Sequence, residues 1–339
     1  MHRILIPSNV SADLPPLGAS LSQFNGLSMG TSWSVSLIAR AGMDAQPLQA
    51  SIQRQLDDVV AQMSHWEADS NLGRFNLASA GTLHPLPENF FNVLAYGITV
   101  AQHSGGAYNP LAGALVNCWG FGPHARHDEA GFAIPSADAI LAARNKCDWR
   151  DLQLDHPTRS VRQPGGALLD FSSIAKGYAV DAVAQYLEAQ GIGHYLVELG
   201  GELRGAGMKP DGQPWWVELE QPATGQDQPD NAGPIIVALH GLAVATSGDY
   251  RRYFHLDGKL FPHTIDPRTG YPIDNGIASV TVLHSQCMAA DALSTALTVL
   301  GVEAGMEFAQ ERNIAARFLL RQPDGFTEHT SSAFLDMLE

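Results

Sequence analysis

Cysteine is scarce in this 339-residue chain, with three in all, at positions 118, 147 and 287. None stands in a Cys-x-x-Cys pair, and an odd number cannot form a complete intrachain disulfide framework. The three therefore read as small buried hydrophobes rather than redox or metal groups. Positive charge is also short: 20 Lys plus Arg face 35 Asp plus Glu, a formal charge of −15. That balance excludes a broad electrostatic surface for nucleic acid. It leaves room for phosphates held locally by amides, and on an acidic protein a divalent cation is a sensible helper for an anionic cofactor.

Long apolar runs are missing as well. The N-terminal stretch has no basic segment leading into a sustained apolar core, and Pro7 interrupts it early. No signal peptide, lipobox cysteine or membrane-spanning length is visible. The expectation is a soluble chain, cytoplasmic as it stands, or periplasmic and associated with the inner membrane if a leader has been trimmed. Three nucleotide or hydrolase signatures are absent too: GxGxxG after a first strand, GxxxxGK[ST] and GxSxG. His65, His84, His124, His127 and His194 show no zinc-ligand spacing.

What is present is an ordinary globular share of apolar residues, 45%, with clear periodicities. Residues 1–26 are rich in Pro, Ser and Gly and read as an N-terminal arm or approach loop, followed by a single domain over 27–330. The stretch from Met29 alternates and predicts a first strand. Ile52, Leu56, Val59, Val60 and Met63 keep helical spacing after Pro47. A second helix is predicted over 88–103, stopping at Gly105–Gly106, and a short one over 136–144. The segment from Asn109 has no clean period and reads as an irregular connection or a short helix and loop. Residues 165–191 predict a short strand, a tight turn and a helix stopped by Gly191. Strands are predicted at 194–199, 201–207, 215–221, 235–240, 276–284 and 315–322, with an exposed loop over 222–234. Helices are predicted at 289–301 and 302–312. Hairpins mixed with helices favour an α+β fold over regular βαβ winding.

Three local patterns can carry chemistry. Asp291 and Thr295 lie four residues apart, hence on one helical face. A carboxylate and a hydroxyl are hard donors suited to magnesium or calcium. The same spacing is commonplace on solvated helix edges, but here both residues sit in an apolar helix. In "DFSSIAKGYAVD", Asp170 and two serines lie where a strand hands over to a helix, where free amides gather around anions. Lys176 can meet a phosphate, pair with Asp170 or simply face solvent. Asp181 can bond a ribose or adenine or solvate its helix. In "ATSGDYRRYF" and "HTIDPRTGYP", Thr246 and Ser247 present hydroxyls at a strand end. His263, just before a tight Asp-Pro turn, can accept a proton near neutral pH or be merely structural.

Eight segments, in order, resemble the ApbE family, the FAD:protein FMN transferases once called thiamine biosynthesis lipoproteins. They are "MGTSW", "MSHWEADSNLGRFN", "SGGAYNPLAGALVNCWGFGP", "LLDFSSIAKGYAVD", "ELGGELRGAG", "ATSGDYRRYF", "HTIDPRTGYP" and "ADALSTALTVLG", spanning about residues 27 to 320. The resemblance implies mixed sheets and helices around an FAD cleft, a T-fold-related architecture, with magnesium beside the pyrophosphate. It implies transfer of FMN from FAD to a Thr or Ser of an acceptor flavoprotein with release of AMP. Such acceptors carry a Ser/Asp-Gly-Ala-Thr type of motif and include subunits of membrane redox complexes. By the same resemblance Asp291, Thr295 and the Ala175 carbonyl hold the metal. Met29, Tyr108, Lys176, Asp181, Glu202, Thr246, Ser247, Gly248 and His263 line the cofactor, with His263 and Asp291 as proton acceptors. Two departures stand out. Asn109 follows Tyr108 where an Asp is common, and Phe171–Ser172 replace Leu-Gly at the helix entry. The other readings are a magnesium-dependent FAD pyrophosphatase, yielding FMN and AMP, and an FAD-binding protein without turnover.

Overall fold

Alternating apolar residues in eight segments build one antiparallel sheet in the computed structural model, which describes residues 3–10, 13–222, 234–256 and 258–339. Its strands are β1 (Ser20–Ser28), β2 (Thr31–Ala39), β3 (Tyr195–Leu199), β4 (Glu202–Ala206), β5 (Leu242–Gly248), β6 (Ile277–His284), β7 (Ala315–Gln322) and β8 (Gly325–Thr330). They lie side by side in chain order, and each neighbouring pair is antiparallel. Successive side chains point to opposite faces. Thus Trp33, Val35 and Leu37 of β2 enter a front core, whereas Ile38 enters a rear one. Ala243 and Ala245 of β5 divide from Val244 in the same way. Central β6 is buried along nearly its whole length because both of its faces are covered.

Four long helices cover the front: α1 (Gln46–Met63), α2 (Glu88–His103), α3 (Ala175–Ala189) and α4 (Cys287–Glu311). Leu48, Ile52, Leu56, Val59 and Met63 form the buried stripe of α1. The α2 helix stops before Gly105 and Gly106, both left-handed, as the glycine pair predicts. The α4 helix packs on β5, β6 and α3. It is long and apolar enough to cross a membrane by length and composition, yet most of its first sixteen residues are buried in this core. A break at Gly301 (φ 83°) divides it, matching the two helices expected there. On the rear, strands Arg3–Leu5, Ile235–Leu239 and Trp215–Glu218 form a small sheet that encloses Trp215, Val237, Val244, Leu283 and Phe334.

The α+β class agrees with the sequence, but two local expectations give way. Residues 1–26 are more than an approach loop. Arg3–Leu5 pairs in parallel with Ile235–Leu239, and β1 pairs with β2 along its full length. The sheet-edge position of β1 leaves its side chains half exposed, so its sequence shows little apolar contrast. The short strand expected within 165–170 is also missing. There the Asn76 side chain takes both main-chain groups of Leu169, donating to its carbonyl at 3.0 Å and accepting from its N–H at 2.7 Å. Asp170 N–H donates to the Pro110 carbonyl at 2.9 Å. Side-chain and loop bonds thus satisfy the groups a strand partner would occupy. The irregular segment from Asn109 contains a short helix, Gly113–Cys118. Most of the loop expected over 222–234, residues 223–233, lies outside the described residues.

Candidate functional site

The first turns of α3 and α4 meet the end of β5 at the front of the sheet. Asp291 is buried, and its Oδ2 accepts the Gly177 N–H at 3.0 Å. Its Oδ1 has no hydrogen bond among the described residues. One turn on, the Thr295 hydroxyl lies 3.0 Å from Ser247 Oγ, which also lies 2.8 Å from Ser294 Oγ. Ser294 in turn donates to the Asp291 carbonyl at 2.9 Å. Burial pushes the Asp291 carboxyl above the usual carboxylate range, against the pull of Lys176 and the Gly177 N–H. Ala175 opens α3, whose N-terminus has no side-chain cap; its own N–H goes to the Phe171 carbonyl and that of Gly177 to Asp291, which leaves the Lys176 N–H to meet an anion.

Lys176 bonds Glu202, the first residue of β4. Glu202 is 2% exposed, and its Oε2 has no hydrogen-bond partner among the described residues. Burial raises this carboxyl to about 7, opposed chiefly by Lys176. Tyr108 is buried beside Asp291 and Asp170, and loss of water pushes its phenol far up. Met29 forms the two-residue turn between β1 and β2 with Gly30, both left-handed (φ 50° and 72°). A left-handed methionine is unusual and marks local strain of order 1–3 kcal/mol. Its turn lies at the same end of the sheet as the Gly200–Gly201 turn, since Trp33 pairs with Leu199.

His263 follows a hairpin of strands Tyr253–Leu256 and Lys259–Pro262. Its ring is partly exposed, with Nδ1 3.0 Å from the Arg252 carbonyl. A carbonyl can only accept, so Nδ1 carries the proton and Nε2 is left as the basic nitrogen. The protein mass around the ring pushes its pKa down to about 4, helped by Arg252, Lys176 and Arg251.

Two expected cofactor residues face elsewhere. Thr246 points to the rear of the sheet, where its hydroxyl lies 2.9 Å from that of Thr281. Adjacent side chains of a strand face opposite ways, so of Thr246 and Ser247 only Ser247 joins the cluster. Asp181 is spent on structure. Its Oδ1 accepts from Arg204 at 2.7 Å and from Cys287 N–H at 3.0 Å, and its Oδ2 accepts from Met288 N–H at 2.9 Å. It thereby caps α4, whose own N-cap Gln286 makes no side-chain bond. Gly248 packs so closely on Tyr250 that a Cβ would lie 2.4 Å from the ring.

A cavity of about 140 Å³ was not anticipated: His65, Trp66, Asn117, His124 and Asp170 are among its lining residues. His65 Nδ1 lies 3.9 Å from Asp170 Oδ1, which also accepts the Ser172 N–H at 2.8 Å. "MSHWEADSNLGRFN" was the signal for it, but nothing in that segment singles out His65 or Trp66 by spacing. A larger cavity of about 270 Å³ lies on the rear face, beside Glu198, Leu203 and Thr246, across the sheet from Ser247. Both sequence departures are absorbed by packing. Asn109 bridges Leu111 N–H and the Cys147 carbonyl, and Phe171 packs edge-on against Phe90.

Among the described residues no group of three or more His, Cys, Asp or Glu side chains could hold a metal. A cation here must rely on one carboxylate, a hydroxyl and main-chain carbonyls, a hard set suited to magnesium and unsuited to zinc. The free Oδ1 of buried Asp291 fits that use.

A sequence model described as the ApbE family matches residues 29–318. A protein of Vibrio cholerae named FAD:protein FMN transferase is 39% identical over 315 residues, covering 93% of this chain and 92% of its own. The Escherichia coli K12 protein of the same name is 34% identical, with coverages of 92% and 88%. Among solved structures, the apo flavinyl transferase ApbE of Pseudomonas stutzeri superimposes with a TM-score of 0.85 at 38% identity, covering 94% of this chain and 97% of that one.

Proposed function

The chain belongs to the ApbE family, and from that membership we propose that it works as a magnesium-assisted FAD:protein FMN transferase at the junction of α3, α4 and β5. It is an enzyme with FAD as its substrate and a flavoprotein as its acceptor. The observation that carries the local reading is Asp291, a buried carboxylate with one oxygen bonded to Gly177 and the other free, one turn from the Thr295 hydroxyl. Asp291, Thr295 and the Ala175 carbonyl would hold Mg²⁺, which supplies charge neutralisation at the pyrophosphate.

The chain's own groups do the rest. The Lys176 N–H in the first turn of α3 and the Lys176 ammonium would face the anionic substrate. Ser247 orients the Thr295 hydroxyl through its 3.0 Å contact. His263, neutral at physiological pH with Nε2 available, takes the proton from the acceptor hydroxyl as its oxygen attacks the FMN phosphorus. The bond to the AMP phosphate breaks, and AMP leaves. Positioning and charge stabilisation outweigh any single base in phosphoryl transfer. The acceptor carries a Ser/Asp-Gly-Ala-Thr type of motif.

The test is intact-mass analysis of such an acceptor domain incubated with the protein, FAD and Mg²⁺, beside an Asp291→Ala control. An FMN adduct that needs Asp291 supports the reading. FMN and AMP without an adduct would replace it with FAD hydrolysis, and unchanged bound FAD with storage.

A further inference from the structure

We propose that Glu202 is a positioning residue that keeps the Lys176 ammonium off Asp291 and so holds the cation position open. This rests on Asp291 and Thr295 being the cation site. Lys176 is the second residue of α3, and its neighbour Gly177 donates to Asp291 Oδ2 at 3.0 Å. The lysine stem therefore begins beside Asp291, and the two charges act on one another. The ammonium nevertheless sits on Glu202, across on β4.

Two buried carboxylates thus share one ammonium. The other cation nearby, Arg251, is paired with Glu220 and donates to the Gly200 carbonyl at 2.7 Å; it acts on Glu202 through space but makes an ion pair with neither Glu202 nor Asp291. A lysine ammonium on a flexible four-carbon stem takes whatever buried carboxylate lies within reach. Without the Glu202 charge, that partner is Asp291, and the ammonium occupies the oxygen a metal ion needs. Glu202 is an expensive choice for mere packing, because its Oε2 is buried and unbonded among the described residues. Its charge is useful if it anchors Lys176 away from α4.

The experiment is calorimetric titration of flavin-free protein with MgCl₂ for wild type, Glu202→Gln, Lys176→Met, the double variant and Asp291→Asn, with circular dichroism to verify folding. Glu202→Gln is expected to weaken Mg²⁺ binding about tenfold or more, the scale on which groups outside a ligand set act, because the freed ammonium competes for Asp291 Oδ1. Lys176→Met is expected to change affinity little in the wild-type background but to restore it in the Glu202→Gln background. That non-additivity is the signature, because simple long-range charge would give the same fold-change in both backgrounds. Equal effects, or a double variant as weak as Glu202→Gln, overturn the proposal while leaving the cation site standing. Mg²⁺ binding unaffected by Asp291→Asn removes the cation site itself, and the proposal with it.

Discussion

Gly177 and Asp291 touch across the α3–α4 crossing. The glycine N–H donates to Asp291 Oδ2 at 3.0 Å, and a Cβ on Gly177 would lie 2.8 Å from the Asp291 Cβ and 2.4 Å from the Cys287 carbonyl oxygen. No side chain fits between these backbones, so the helices must part if one is added. Gly177→Ala is expected to cost about 1–3 kcal/mol despite the better helix propensity of alanine. It also displaces the first turn of α4, so Mg²⁺-dependent FMN transfer falls further than stability. Urea unfolding alongside transfer rates at a temperature where the variant is folded checks both. A variant as stable and active as wild type would show that the crossing is slack.

Asp291→Asn separates stability from function. Asn keeps an oxygen for the Gly177 N–H and carries no charge. Because burial raises the Asp291 pKa, the folded protein holds this proton more tightly than the unfolded chain does. Stability from this residue is therefore greatest in acid and declines as pH rises through the carboxylate range. In EDTA at neutral pH the variant is expected to be more stable by about 1–3 kcal/mol, with the gain shrinking toward pH 4. It should lose both the Mg²⁺-dependent rise in melting temperature and FMN transfer. A retained Mg²⁺ shift would place the cation elsewhere.

The Asp291–Thr295 pair was legible because four-residue spacing fixes a shared helical face without any knowledge of the fold. The stripe of α1 and the glycine stop of α2 were legible for similar local reasons. What completes the cluster was not. Ser247 reaches Thr295 only because β5 lies under α4, and Gly177 matters only where α3 crosses α4. Asp181 shows the opposite failure. Sequence placed it beside a cofactor, but an uncapped helix elsewhere in the chain claims its carboxylate. Edge strand β1 was hidden by half-exposed side chains, and the missing strand near Leu169 by a side-chain amide that imitates a strand partner.

Asn109 is expected to be required as an amide in this chain. Its Nδ2 donates to the Cys147 carbonyl at 2.6 Å while its Oδ1 accepts from Leu111 N–H at 2.9 Å. Asp keeps the second bond and turns the first into two opposed oxygens. Asn109→Asp should cost about 1–3 kcal/mol, the price of an unmatched buried acceptor. Introducing the carboxylate that the family resemblance leads one to expect there should not raise the transfer rate. Thermal unfolding and AMP release measure the two effects, and an Asp variant both more stable and faster would refute the structural role.

As the proposed base, His263 is expected to set the acid limb of the reaction. Its surroundings push the pKa from 6.5 down to about 4, so the ring stays neutral where an ordinary histidine is protonated. The unfolded chain binds the proton at higher pH than the folded one. The stability contribution is thus fully present above about pH 6.5 and is lost as pH falls toward 4. For catalysis, kcat/KM for FAD reports the free enzyme and should hold nearly level from pH 8 to about 5 before falling. An anionic pyrophosphate beside the ring would raise the pKa in the complex, so the acid limb of kcat should lie at higher pH than that of kcat/KM. His263→Ala is expected to slow transfer by about 10²–10⁴-fold while leaving Mg²⁺ binding in place. Ring-carbon NMR of the flavin-free protein, with that variant to assign the resonance, tests the shift directly. A midpoint near 6.5 would remove the depressed pKa, and an alanine variant at wild-type rate would remove His263 as the base.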